Sequence, residues 1–143
     1  MKKISEEEAL LFGIDTKYDL MDNGERKFRL NCLTDGSSYC RTVASKDGAW
    51  QNSHYHEFVS EIYVIQSGWI VYVQKDENEL KMCLLREGES VTFLPYVHHN
   101  IYLSAESVIH TIKYGTARGT DWIASPELDM LTKHLCPNSL FSQ

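Results

Sequence analysis

The stretch GAWQNSHYHEFVSEIYVIQSG, residues 48–68, decides how this chain is read. His54 and His56 stand one residue apart, so on a strand both side chains leave the same face. After four intervening residues Glu61 opens a β-prone run, Ile62 to Ile65, and Gly68 follows it. Further on, His98 and His99 follow Pro95. Three imidazoles and one carboxylate can hold a divalent metal and leave coordination positions open. Adjacent residues of a strand face opposite ways, so only one of His98 and His99 can join such a site.

Around that stretch, short apolar runs alternate with turn signals. Strands are predicted over Phe28–Leu33, Tyr39–Ala44, Glu61–Gln66, Trp69–Gln74, Leu80–Leu85, Ser90–Leu94, Asn100–Leu103 and Val108–Tyr114. Turns at residues 35–38, 46–48, 75–79 and 86–89 separate them. This spacing, with no βαβ rhythm, indicates an all-β antiparallel sandwich or barrel. A short helix is expected over Glu6–Phe12, ending near Gly13. A second is expected over Pro126–Leu135, capped by Ser125 and stopped by Pro137.

The chain has 143 residues, 43% hydrophobic and 24% charged, which suits one domain, residues 1–143, with a barrel core over about 28–115 and a tail over 116–143. Its net charge of -6 argues against nucleic acid or an anionic membrane as partner. No apolar run reaches the ~18–20 residues that span a bilayer, and the start lacks the apolar segment of a signal peptide. The expected location is cytoplasmic, with Cys32, Cys40, Cys83 and Cys136 as thiols; none shows CxxC spacing.

The first stretch resembles the cupin family. Its motif runs glycine, five residues, His-x-His, three or four residues, glutamate, six residues, glycine, and Gly48, His54, His56, Glu61 and Gly68 fall at those positions. The second family motif is met only in part. Gly88 is present, but Leu94 stands at the usual proline and Tyr96 at the usual glycine; His99 stands at the ligand histidine. The likeness covers roughly Arg41 to Tyr114. It implies a double-stranded β-helix, or jelly roll, and a metal held by His54, His56, Glu61 and His99. That motif spacing selects His99 over His98.

The ligand set contains no thiolate, so Fe, Mn, Ni, Co and Zn all suit it. Parity puts Tyr63 and Ile65 on the face of Glu61, and Ile101 and Leu103 on that of His99, so a largely apolar pocket is expected below the metal. Tyr63 is the candidate proton-transfer residue. Arg41, Trp50, Gln66 and Tyr102 are candidate substrate contacts, with Gln51 and Lys113 as further wall residues. Arg41 has the fork geometry to hold a carboxylate. The resemblance implies a metal-dependent enzyme acting on a small oxygen-rich substrate, such as a sugar or sugar-derived acid, of isomerase, epimerase or lyase type. An Fe(II) dioxygenase and a non-catalytic ligand-binding cupin are the alternatives. It also implies a homodimer, in which the strand near Phe28–Leu33 would extend a neighbour's sheet.

Overall fold

A computed structural model of the chain describes residues 1–117 and 120–141. Arg118, Gly119, Ser142 and Gln143, which the sequence reading assigned to the tail, lie outside the described residues.

Strand pairing is antiparallel throughout. One sheet contains β1 (Ile14–Leu20), β2 (Arg26–Cys32), β3 (Ser38–Val43), β6 (Val59–Ser67), β9 (Ser90–Phe93) and β11 (Val108–Gly115), ordered β1-β2-β3-β11-β6-β9. The other contains β4 (Ala49–Trp50), β5 (His54–Tyr55), β7 (Trp69–Asp76), β8 (Glu79–Arg86), β10 (His98–Leu103) and β12 (Ile123–Ala124). Its order is β12-β5-β10-β7-β8, with β4 also on β10. The helices are α1 (Glu6–Leu11), α2 (Pro126–Thr132) and α3 (Pro137–Phe141). None is long and apolar enough to cross a membrane.

Period-two alternation sets the inner faces. On β6, Val59, Glu61, Tyr63 and Ile65 are buried, while the residues between them are less so. Tyr63, Ile65, Ile70, Phe93, Ile101 and Leu103 belong to one core between the sheets. The two motif glycines permit close approach of turns to this core. Gly48 has φ +74°, and a Cβ there would lie 2.7 Å from the Leu103 carbonyl oxygen. Gly68 has φ +79°, and its Cβ would lie 2.6 Å from the Ser107 Cβ.

The structure departs from the sequence reading at both ends. No strand was expected at Ile14–Leu20, yet β1 pairs with β2 along its whole length. Its alternation is inverted relative to a core strand. Asp15, Lys17 and Asp19 take one face, Tyr18 and Leu20 the other, and Tyr18 and Leu20 are exposed. Because β2 is paired on both sides, it cannot extend a neighbour's sheet; the edge belongs to β1. At the other end the single expected helix is two. Thr132 ends α2, and Pro137 opens α3 instead of stopping a helix, since proline fits a first turn. Ser125 precedes α2 without a side-chain cap, because its hydroxyl is 2.7 Å from His98 Nδ1.

Candidate metal centre

His54 on β5 pairs directly with His99 on β10, which sets their rings 4.5 Å apart. Glu61 reaches them from the opposing sheet. Ligand atoms of His54, Glu61 and His99 all lie within 4.8 Å of one another, and the three residues are buried. His99 Nε2 is 3.3 Å and His54 Nε2 3.6 Å from Glu61 Oε1. His56 approaches the other oxygen, with Nε2 2.7 Å from Oε2. His98 faces away, stacked on Tyr55 at 4.1 Å.

The far side of each ring explains this convergence. His54 Nδ1 meets the Asn52 carbonyl at 2.9 Å, His99 Nδ1 the Val97 carbonyl at 2.9 Å, and His56 Nδ1 the Asp121 carbonyl. A carbonyl only accepts, so each Nδ1 carries a proton and each ring turns its Nε2 toward Glu61, the nitrogen that ligates a cation once its own proton is gone. Three Nε2 atoms then face one carboxylate inside the protein. Three imidazoles with a carboxylate are a normal donor set for a divalent transition metal.

The electrostatics agree. Burial pushes the Glu61 carboxyl up, but bonds from His54, His56 and His99 outweigh it and hold it well below the usual carboxylate range. Burial lowers His54, which favours the neutral ring. Burial and then the Glu61 charge raise Tyr63 well above the usual phenol value. Tyr63 donates its hydroxyl proton to Glu61 Oε1, so it supports the cluster as a neutral donor and is ill suited to the base role expected from sequence.

Sequence reasoning did not find Asp121. Besides holding His56 through its carbonyl, it accepts the backbone N–H groups of Glu57, Phe58 and Val59 on its carboxylate, at 2.9, 2.9 and 3.0 Å. It therefore fixes the loop that resets strand phase between His56 and Glu61. No local sequence signal marks a partner so far along the chain.

A cavity of about 540 Å³ opens beside Glu61 and His54. Its walls mix charged and polar groups with apolar surface, where a largely apolar pocket was expected. The apolar side of the cluster is filled: Phe93 stacks on His99 at 4.0 Å, and Ile65, Ile101 and Leu103 are buried core. The cavity instead borders the charged inner face of β2 and the turn before it, with Asn23, Glu25, Lys27 and Arg29. Asn23, Glu25 and Lys27 precede the predicted strands, and Arg29, inside the predicted strand Phe28–Leu33, was not read as a cavity residue.

Of the proposed wall residues, Trp50, Gln51 and Lys113 line this cavity, and Lys113 Nζ is 3.9 Å from Glu61 Oε2. The others do not. Arg41 is exposed, because Cys40 and Thr42 take the inner face of β3. Gln66 is exposed on the outer face of β6, 2.6 Å from His110 Nε2. Tyr102 shares the outward face of β10 with His98, and its hydroxyl accepts from Asn138 Nδ2 at 3.0 Å. Cys40 does line the cavity, and Trp122 stacks on His54 at 5.4 Å. Tyr96, at the family's glycine position, keeps a left-handed backbone, φ +68°, and donates its N–H to the His56 carbonyl at 2.7 Å.

No family model matches the sequence, and no curated protein does. Solved structures do match in shape. Oxalate decarboxylase from Bacillus subtilis superposes with TM-score 0.64 at 12% identity, over 90% of this chain and 37% of that one. KdgF from Halomonas sp. gives 0.56 at 16%, over 71% and 89%. Drosophila melanogaster CENP-C, bound to CAL1, gives 0.56 at 15%, over 70% and 77%. A second Drosophila structure of that protein is described as its cupin domain. At these identities the likeness establishes the fold, a small cupin barrel.

Proposed function

We propose that this chain, a cupin by fold, binds one divalent transition metal (Fe, Mn, Ni, Co or Zn) through His54, His56, Glu61 and His99. We infer that it acts on a small oxygen-rich substrate, a sugar or sugar-derived acid, in an isomerase, epimerase or lyase type of reaction. One observation carries this: buried imidazoles and a buried carboxylate converge, and two of them, His54 and Glu61, line a cavity large enough for such a molecule. A structural metal would more often be sealed by thiolates.

A bound metal supplies Lewis-acid polarisation of a carbonyl or a hydroxyl pair. The chain supplies the rest. Backbone carbonyls at Asn52, Val97 and Asp121 hold the three rings in register. Tyr63 neutralises part of the Glu61 charge by donation. Trp50 and Trp122 border the cavity and supply aromatic surface for a ligand ring. One structural neighbour acts on oxalate, and its Mn(II) centres are the subject of one of its structures, which supports a metal and a small oxygen-rich ligand here.

Metal analysis of untagged protein beside a His54→Ala/His56→Ala variant tests the reading. About one first-row metal per chain, absent from the variant, is expected. The loaded protein is then incubated with phosphorylated aldoses and uronates. Failure of the wild type to take up any first-row metal overturns the metal site; metal uptake without turnover of any of these overturns the enzymatic part.

We further infer a homodimer through the outer face of the first sheet rather than through an edge strand. Tyr18, Leu20, Phe28, Leu30 and Ile112 leave that face exposed and apolar. Light scattering at micromolar concentration tests it, and a strict monomer refutes it. The four cysteines are all free, which supports a reducing, cytoplasmic setting.

A further inference from the structure

Glu61 is one of two buried carboxylates on the cavity. The other is Glu25, in the turn before β2 and 1% exposed. Its Oε1 accepts from the Gln51 amide at 2.9 Å, while its Oε2 has no partner. A buried carboxylate oxygen without a donor is costly, and proteins usually meet such a need. Beside it, Lys27 Nζ lies 3.6 Å from Oε1, beyond good hydrogen-bond range, although the Lys27 side chain is only 14% exposed. Two residues along β2, Arg29 lines the same cavity, with Nε taken by Asp19 at 3.3 Å.

This corner therefore has an acceptor that wants a donor and a cation that wants an acceptor, side by side. An alcohol hydroxyl would satisfy the first and a carboxylate oxygen the second. Burial pushes the Glu25 carboxyl up, with Lys27, Gln51 and Asn23 working against it. A ligand ammonium at that oxygen would lie beside the Lys27 ammonium and be repelled by it, whereas a hydroxyl would not. That sets an amino acid aside in favour of a hydroxy acid.

We propose that Glu25, Lys27 and Gln51 form a subsite for a small hydroxy carboxylic acid, Lys27 taking its carboxylate and Glu25 a hydroxyl. Placed there, the ligand's remaining oxygens face the cluster of His54 and Glu61 across the same cavity. The assignment rests on the proposed function for the purpose of that placement, but the subsite itself needs no metal.

Calorimetric titration of metal-free and metal-loaded protein with D-glucuronate, D-gluconate and D-glycerate, against D-glucose, tests it. At least one acid is expected to bind both forms, with D-glucose much weaker. Lys27→Met and Glu25→Gln are expected to weaken that acid by about tenfold or more while metal content stays at the wild-type level. Thermal unfolding identifies a variant that does not fold, and the other variant then decides. Absence of binding by all three acids overturns the subsite, as does binding that both folded variants leave unchanged. An acid that binds through Lys27 in a protein that never takes up metal would leave the subsite standing and overturn the metal reading instead. Metal uptake with no acid binding would do the reverse.

Discussion

The Tyr63 hydroxyl donates to the same Glu61 oxygen, Oε1, that faces His54 and His99. The two residues are neighbours on one face of β6, so a single strand carries both the carboxylate and the group that steadies it. Tyr63 itself is 3% exposed and sits edge-on to Phe93 at 5.7 Å. Its ring belongs to the core and its oxygen to the cluster.

Tyr63→Phe should therefore separate the two roles. The ring still packs, so the fold survives, while Glu61 loses a donor that orients it. Metal affinity is expected to fall by about tenfold, as when an outer partner of a ligand is removed. Competition with a chelator measures this; equal affinities would show that the hydroxyl does not act on the site.

Asp121 should matter for stability and for metal together. Asp121→Ala removes acceptors for the N–H groups of Glu57, Phe58 and Val59. The expected loss is about 2 kcal/mol, since bonds to a charged group are among the stronger ones and this residue is only partly buried. Asp121→Asn keeps one acceptor oxygen and should recover part of it. Urea unfolding gives the first number, and chelator competition should show weaker metal binding through the loosened His56. An unfolding midpoint that does not move would contradict the role assigned to the loop.

The Glu25 carboxyl predicts a pH dependence of unusual sign. Its pKa is raised in the folded protein above the ordinary 4.5, so the folded state holds that proton more tightly than the unfolded state. Stability from this group is present below 4.5 and is lost as pH rises through the folded value. Glu25→Gln cannot ionise and lacks that loss. The variant should gain on wild type as pH rises from about 4 to about 8, when unfolding temperatures are compared. A difference independent of pH would mean that Glu25 ionises in the fold without penalty.

Leu128 in α2 is 0% exposed, and Asp129 beside it accepts the Ser53 N–H at 2.8 Å, one residue before His54. Leu128→Ala should cost about 2–4 kcal/mol by leaving a void. Because β12 pairs with β5 and α2 contacts β10, we expect tail and barrel to unfold in one transition. Two separate transitions by circular dichroism would make the tail an independent unit.

Much of this was legible in the sequence because it depends on local alternation. Period two on β6 places Glu61, Tyr63 and Ile65 together, and period two on β10 separates His98 from His99. The failures have equally physical causes. On β3 the alternation of Tyr39, Cys40, Arg41 and Thr42 left either face open as the inner one, and burial of Cys40 and Thr42 turned Arg41 outward. On β2 the charged face, Lys27 and Arg29, points inward and Phe28 and Leu30 outward, the reverse of the usual pattern, so its place on the cavity could not be read from hydrophobicity. Beside it β1, with Tyr18 and Leu20 outward, was missed as a strand.

The sequence by itself determined most of the long strands, the turn glycines at Gly48 and Gly68, and the grouping of His54, Glu61 and His99, since backbone period and residue chemistry act over a few positions. Only the tertiary structure decided what faces that cluster. Closure of the two sheets filled the apolar side with Phe93 and Ile101. The turn before β2 brought Glu25 against Gln51, and the segment before β12 brought the Asp121 carbonyl to His56. Those contacts join residues 26 and 65 positions apart, where no local propensity reaches and only the register of paired strands sets who meets whom.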